Sequence, residues 1–156
     1  MRVYLSGPIT GHNDRGIFDW RTHVKAHFPE IQFLDPADTA IDTSEEYLRR
    51  LTDRDELELL RFGKNVVTRN KILIQQADLL FANVLQTGAH TSIGTVGEIF
   101  LANAYDKPII ILRDQVGNVH NHAMLNAIAA KIVHTMDEAI GSLREFSGLF
   151  PQSKRA

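Results

Sequence analysis

The residues best placed to do chemistry are Ser92-Ile93-Gly94-Thr95-Val96-Gly97-Glu98, a small-residue turn that delivers one carboxylate into the first turn of a helix. A carboxylate in that setting is a candidate nucleophile, because the free N–H groups and dipole of a helix N-terminus favour a nearby anion. The same spacing also spells Ser/Thr-x-x-Glu, a capping box in which Glu98 only satisfies the Thr95 backbone N–H. Spacing alone leaves both readings open.

The flanking elements say where such a turn would sit. Upstream, Ala77 to Val84 has the continuous apolar pattern of a buried strand. Downstream, Ile99 to Tyr105 reads as a helix leading through Lys107-Pro108 to a strand at Ile109 to Leu112. The order strand, loop, helix, strand puts the turn at the carboxyl end of a strand, where open α/β sheets hold their ligands.

The rest of the chain repeats this alternation. Val3 to Leu5 reads as the first strand, stopped by Gly7-Pro8 and followed by a loop through Gly16. Phe18, Val24 and Phe28 give the stripe of a helix, and Ile31 to Leu34 a second strand ended by Asp35-Pro36. Ser44 caps a helix expected to run to about Leu60, with a break at Gly63 and a new helix from Asn65 to Gln76. A helix at Ala123 to Ala130, a strand at Ile132 to His134 and a helix at Asp137 to Phe146 complete the set. Strands and helices in alternation with short links predict a mostly parallel sheet of about five strands covered on both faces. The expected organisation is one domain over 1–146 and a frayed tail over 147–156.

Bulk properties narrow the function. The 156 residues fit one domain, and the net charge of −2 from 17 Lys+Arg and 19 Asp+Glu gives no general attraction to nucleic-acid polymers or anionic membranes. Zero Cys removes disulfides, thiolate zinc sites and cysteine nucleophiles together. With no apolar run approaching a membrane span and no signal-type segment at the start, a cytoplasmic location is expected. Neither a Walker-type phosphate loop nor a Gly-x-Gly-x-x-Gly dinucleotide fingerprint is present.

Taken together, Tyr4-Leu5-Ser6-Gly7-Pro8-Ile9, Gln76-Ala77-Asp78 running into a strand, and Gly94-Thr95-Val96-Gly97-Glu98-Ile99 with Ala102, Ala104 and Lys107-Pro108 resemble the nucleoside 2-deoxyribosyltransferase superfamily. That superfamily includes nucleoside 5′-monophosphate N-glycosidases and phage-type relatives. The resemblance spans most of residues 1–135 and is most specific over 77–108. It implies a flavodoxin-like three-layer sandwich and cleavage of a nucleoside N-glycosidic bond by a retaining, two-step route. Glu98 would attack C1′ of the sugar, and a second base or water would resolve the glycosyl-enzyme. Transfer of the deoxyribosyl group to another base is the leading expectation, hydrolysis to free base and sugar phosphate the alternative, and a non-catalytic nucleotide-binding module a third.

The resemblance also distributes roles. Tyr4 would orient the nucleophile, Ser6 and Gly7 would form the loop beside the sugar, and Gly94 and Gly97 would let backbone approach a sugar or phosphate. Ser92, six residues before Glu98, stands where free-nucleoside transferases usually carry aspartate and nucleotide N-glycosidases carry serine. A hydroxyl there can donate to a 5′-phosphate that a carboxylate would repel. Asn121 and His122 fall in the segment that reaches the 5′ end of the sugar in a neighbouring subunit, which implies a homo-oligomer with shared sites. Asn70 departs from the pattern, since many members carry aspartate there to protonate the leaving base and an amide cannot do so. Asp38, Asp42 and Asp53 are the substitutes available in the middle segment. Trp20, Phe18 and Tyr47 could stack on a base, whereas Asp78 falls at the amino end of its strand and is expected to be structural. His120 and His122 lack a third ligand at metal-binding spacing. No metal or organic cofactor is implied, and the expected partners are a small nucleoside or nucleotide and a purine or pyrimidine base.

Overall fold

Alternate residues of each strand face opposite sides of the sheet, and the apolar side chains divide accordingly. Val3, Leu5, Leu79, Phe81, Ile110 and Leu112 belong to one core cluster, and Tyr4, Leu80, Ala82, Val84, Ile109 and Ile111 to another. A sheet that is apolar on both faces must be covered on both, and here it is. The computed structural model describes residues 1–8, 14–38, 56–85 and 90–150, with side chains from 18 onward in the first helix.

Five strands pair in parallel in the order β2-β1-β3-β4-β5: β1 Arg2–Ser6, β2 Gln32–Leu34, β3 Leu79–Asn83, β4 Ile109–Leu112 and β5 Lys131–Val133. The helices are α1 Asp14–His27, α2 Glu56–Gln76, α3 Ile93–Ala104, α4 Ala123–Ile128 and α5 Met136–Leu149. Val24 of α1 and Ala139, Ile140 and Leu143 of α5 pack on the first face. Ile74 of α2, Ile99 and Ala102 of α3 and Leu125 of α4 pack on the second. The result is the expected α/β three-layer sandwich, with every pairing parallel.

Several boundaries differ from the expectation. Gly63 does not interrupt a helix: α2 runs unbroken from Glu56 to Gln76, because an isolated glycine costs a helix only about 1 kcal/mol, which a 21-residue helix packed on the sheet absorbs. The capping at Ser44 lies outside the described residues. α1 begins at Asp14, ahead of Gly16, and Phe18 is 43% exposed, so the stripe that packs on the sheet is Val24 and Phe28. α5 continues to Leu149, three residues past the expected end of the domain at 146, which takes Ser147 to Leu149 out of the predicted tail. Its start is a complete capping box, with Thr135 and Glu138 bonding each other's backbone N–H groups. Among the described residues, no helix is long and apolar enough to cross a membrane.

The edge of the sheet toward β2 is tied down by buried charge. Arg21 of α1 and Asp35, just past β2, are 1% and 5% exposed, and Arg21 Nε donates to Asp35 Oδ1 at 3.2 Å. Lys25, one turn further along α1, reaches Asp35 Oδ2 at 2.8 Å and Asp38 Oδ2 at 2.7 Å. Asp78 pairs with Arg2 at the amino ends of β3 and β1, opposite to the ends that face the site, through Arg2 N at 2.7 Å and Arg2 Nη2 at 3.2 Å.

Candidate active site

β1 has side chains at Tyr4 and Ser6 on the same face of the sheet, because positions two apart along a strand share a face. Both are fully buried. α3 crosses that face, and its Glu98 meets them: the Tyr4 hydroxyl donates to Glu98 Oε1 at 2.8 Å, and the Ser6 hydroxyl donates to Oε2. α2 contributes the third donor, Asn70 Nδ2, at 2.7 Å from Oε1. Two strand residues and one helix residue thus converge on one carboxylate carried by a second helix.

Asn70 is itself held in one orientation. Arg69 donates to Asn70 Oδ1 from Nε at 3.0 Å and from Nη2 at 2.9 Å. Guanidinium nitrogens only donate, so the amide oxygen must face Arg69 and the NH₂ must face Glu98. Asn70 therefore clamps the carboxylate.

Burial pushes the Glu98 carboxyl above its ordinary range, while bonds from Ser6, Tyr4 and Asn70 and the nearby Arg21 cation pull it back toward the ionised form. Tyr4 is pushed well above the ordinary phenol range by burial and by the adjacent Glu98, so it remains a donor.

The alternative reading of Thr95 and Glu98 as a capping box is not met. The N-cap of α3 is Ser92, whose Oγ accepts from Thr95 N at 3.5 Å and lies 2.9 Å from Thr95 Oγ1. The helix starts at Ile93, so Glu98 stands in the second turn, beyond the free N–H groups of the first. This corrects the expectation of a carboxylate stabilised by the helix terminus: side-chain donors from β1 and α2 do that work. The Ser92 hydroxyl is engaged in starting α3.

Gly94 lies one helical turn before Glu98 on the same face, and a Cβ built there meets nothing within 4 Å. Gly97 is likewise open, so neither glycine is required by a close neighbour among the described residues. Gly7 is the opposite case. A Cβ there would lie 2.9 Å from Trp20 Cζ2 and 3.0 Å from the Asn83 carbonyl oxygen, so only glycine fits where the turn after β1 presses on α1 and β3. Arg21 Nη2 donates to the Gly7 carbonyl at 3.3 Å beneath the same turn, and its guanidinium lies 4.3 Å from the centre of the Trp20 ring.

The remaining predicted residues that the structure describes are not gathered around Glu98. His122 is the exposed N-cap of α4, its Nδ1 accepting from Met124 N at 3.3 Å, and the exposed Asn121 accepts from Asn126 Nδ2 at 3.0 Å. Trp20 packs edge-on against Phe81, with ring centres 5.8 Å apart, which makes it a core contact. Asp38 is paired with Lys25 near the sheet edge; Tyr47, Asp42 and Asp53 lie outside the described residues. Among the described residues, no group of three His, Asp or Glu side chains is placed to hold a metal ion. Arg69 and Arg21 were not singled out from sequence. Arg69 is marked only by being next to Asn70, and nothing in the pattern around Arg21 distinguishes it from a surface arginine of an amphipathic helix.

No protein-family model and no curated protein matches the chain by sequence. By structure it is similar to a conserved protein from Enterococcus faecalis V583, with TM-score 0.65 and 16% identity over 93% of this chain and 98% of that one. It is also similar to the 2-deoxyribosyltransferase of Bacillus psychrosaccharolyticus, with TM-score 0.62 and 13% identity over 90% of each chain. A third similarity is to the CMP N-glycosidase BcmB of Clostridium botulinum, with TM-score 0.55 and 18% identity over 94% and 99%. The fold is the flavodoxin-like α/β architecture that this deoxyribosyltransferase and this N-glycosidase also have, in agreement with the resemblance of the sequence motifs.

Proposed function

We propose that the protein cleaves the N-glycosidic bond of a 2′-deoxynucleoside or its 5′-monophosphate through a covalent glycosyl-Glu98 intermediate, and transfers the deoxyribosyl group to another base. The observation that carries this reading is a single carboxylate gripped by Tyr4, Ser6 and Asn70. A carboxylate that served only the fold would be paired with a cation or a backbone cap; this one is fixed by neutral donors and remains available as a nucleophile.

In this mechanism Oε1, which accepts from both Tyr4 and Asn70, anchors the group, and Oε2, which among the described residues accepts from Ser6, attacks C1′. The C1′–N bond breaks with its electron pair leaving on the base. Ester formation discharges Glu98, which relieves the cost of its burial and offsets part of the barrier. Asn70 has no proton to give, so the base takes its proton from water or from a carboxyl of the middle segment such as Asp42 or Asp53. A second base then attacks C1′ from the opposite side and frees Glu98. Water in place of that base makes the reaction a hydrolysis, the alternative outcome for the same intermediate. Asn121 and His122, exposed at the start of α4, are proposed to complete the site of a neighbouring subunit in a homo-oligomer.

The test is chromatography of deoxynucleosides and their 5′-monophosphates after incubation with the protein, with and without a second free base, alongside Glu98→Ala. A new nucleoside that disappears in the variant supports transfer, and free base with sugar or sugar phosphate supports hydrolysis. Ligand binding with no Glu98-dependent product would replace the enzyme reading with that of a nucleotide-binding module.

A further inference from the structure

The loop between β4 and α4 contains a buried histidine that the mechanism above does not use. His120 is 1% exposed, and its Nε2 accepts the Ser92 backbone N–H at 3.0 Å. Ser92 is the N-cap of the helix that carries Glu98. The His120 backbone N–H donates in turn to Asn118 Oδ1 at 2.8 Å. Asn118 Nδ2 donates to the Val84 carbonyl, just past β3, at 2.7 Å and to Asp114 Oδ2, just past β4, at 2.9 Å. The start of α3 is therefore connected, bond by bond, to the carboxyl ends of β3 and β4.

We infer that His120 is a positioning residue for Glu98: as a hydrogen-bond acceptor it fixes the N-cap of α3 against β3 and β4, and so sets where the carboxylate meets Tyr4 and Ser6. Glu98 lies six residues beyond Ser92, about 9 Å along a stiff helix at about 1.5 Å per residue, so a displaced N-cap moves the carboxylate with it. Burial holds His120 below the ordinary histidine range, in the neutral form that an accepting nitrogen requires. The Ser92 N–H cannot be served by the helix itself, and leaving it unpaired is costly, which favours keeping the two together.

The inference rests on Glu98 being the nucleophile, and its test contains one arm that needs no substrate. His120→Gln keeps an acceptor close to the position of Nε2, whereas His120→Leu keeps the bulk and removes the acceptor. NMR of isotopically labelled wild type and variants would follow the His120 ring nitrogens, the Ser92 amide proton and the titration of the Glu98 carboxyl. The expected result is an unprotonated Nε2 in the wild type, a Ser92 amide shift and Glu98 titration retained in His120→Gln, and both displaced in His120→Leu. In the substrate arm, His120→Leu lowers kcat by on the order of 100-fold with KM nearly unchanged, as a misplacement of about 1 Å does, and His120→Gln restores most of it. A protonated Nε2 in the wild type, or a folded His120→Leu with unaltered Glu98 titration and kcat, overturns the inference. If His120→Leu does not fold, the wild-type ring nitrogens and the Gln variant still decide. If the wild type turns over no substrate, the reading of function fails while the NMR arm still decides the role of His120.

Discussion

Glu98 is held between opposing forces. Burial disfavours its charge, and the Ser6, Tyr4 and Asn70 donors with Arg21 only partly compensate, so its folded-state pKa lies above the ordinary value of 4.5. For an acid raised in this way, the folded protein binds the proton more tightly than the unfolded chain does. The contribution to stability is present at pH below the unfolded pKa and is lost as pH rises through the folded one. Where it is ionised, the buried Glu98 carboxylate therefore works against folding. Glu98→Gln should melt at a higher temperature than the wild type near pH 7, with the difference shrinking toward pH 4, as thermal unfolding at several pH values would show. The same substitution should lower turnover by at least about 1,000-fold. In the wild type, the acid limb of the rate profile should sit above the ordinary carboxylate range, because activity needs the ionised form.

At the scale of elements, two glycines make opposite predictions. Gly63 sits inside α2 with open space around its Cβ position. Gly63→Ala should stabilise the protein by about 0.5–1 kcal/mol in urea denaturation, because alanine restricts the unfolded chain and costs nothing in the helix. Gly7→Ala should do the reverse. Its Cβ would press on the Trp20 ring and the Asn83 carbonyl, and the overpacking should cost about 1–3 kcal/mol and displace Ser6 next to it. A loss of activity larger than the loss of stability, measured on the folded fraction, is the expected signature.

These same elements show what could be read from the sequence. The strands were legible because each is a short, continuous apolar run bounded by turn residues; β4 was delimited at Ile109 and Leu112 from sequence alone. The break at Gly63 was misjudged because propensity is local, while the helix is sustained by Ile74 packing on the sheet. The Glu98, Tyr4, Ser6 and Asn70 grouping was visible through motif resemblance. The bonds from Ser92 to His120 and from Asn118 to Val84 join segments far apart in the chain, which periodicity does not encode.

Across the whole molecule, the buried pair of Arg21 and Asp35 joins α1 to the end of β2 and supports the Gly7 carbonyl. Removing one member strands the other in a place with little water. Asp35→Ala should therefore destabilise the fold by about 3–5 kcal/mol, whereas Asp38→Ala, which removes only an exposed partner of Lys25, should cost less than about 1 kcal/mol. Equal midpoints for the two variants in chemical denaturation would show that the network is not what secures this edge.

The bonds from Tyr4 and Ser6 to Glu98 join residues 94 and 92 positions apart, and that of Asn70 spans 28. Closing such long loops is slow, and nothing local rewards it before the parallel strands have paired. No fragment that lacks β1, α2 or α3, and no species in which they have not yet packed together, can contain the assembled carboxylate site, since its parts come from these three elements. Any activity of the site is thus a property acquired at the end of folding. In a refolding experiment it should return with the slowest native phase, after helical signal has recovered.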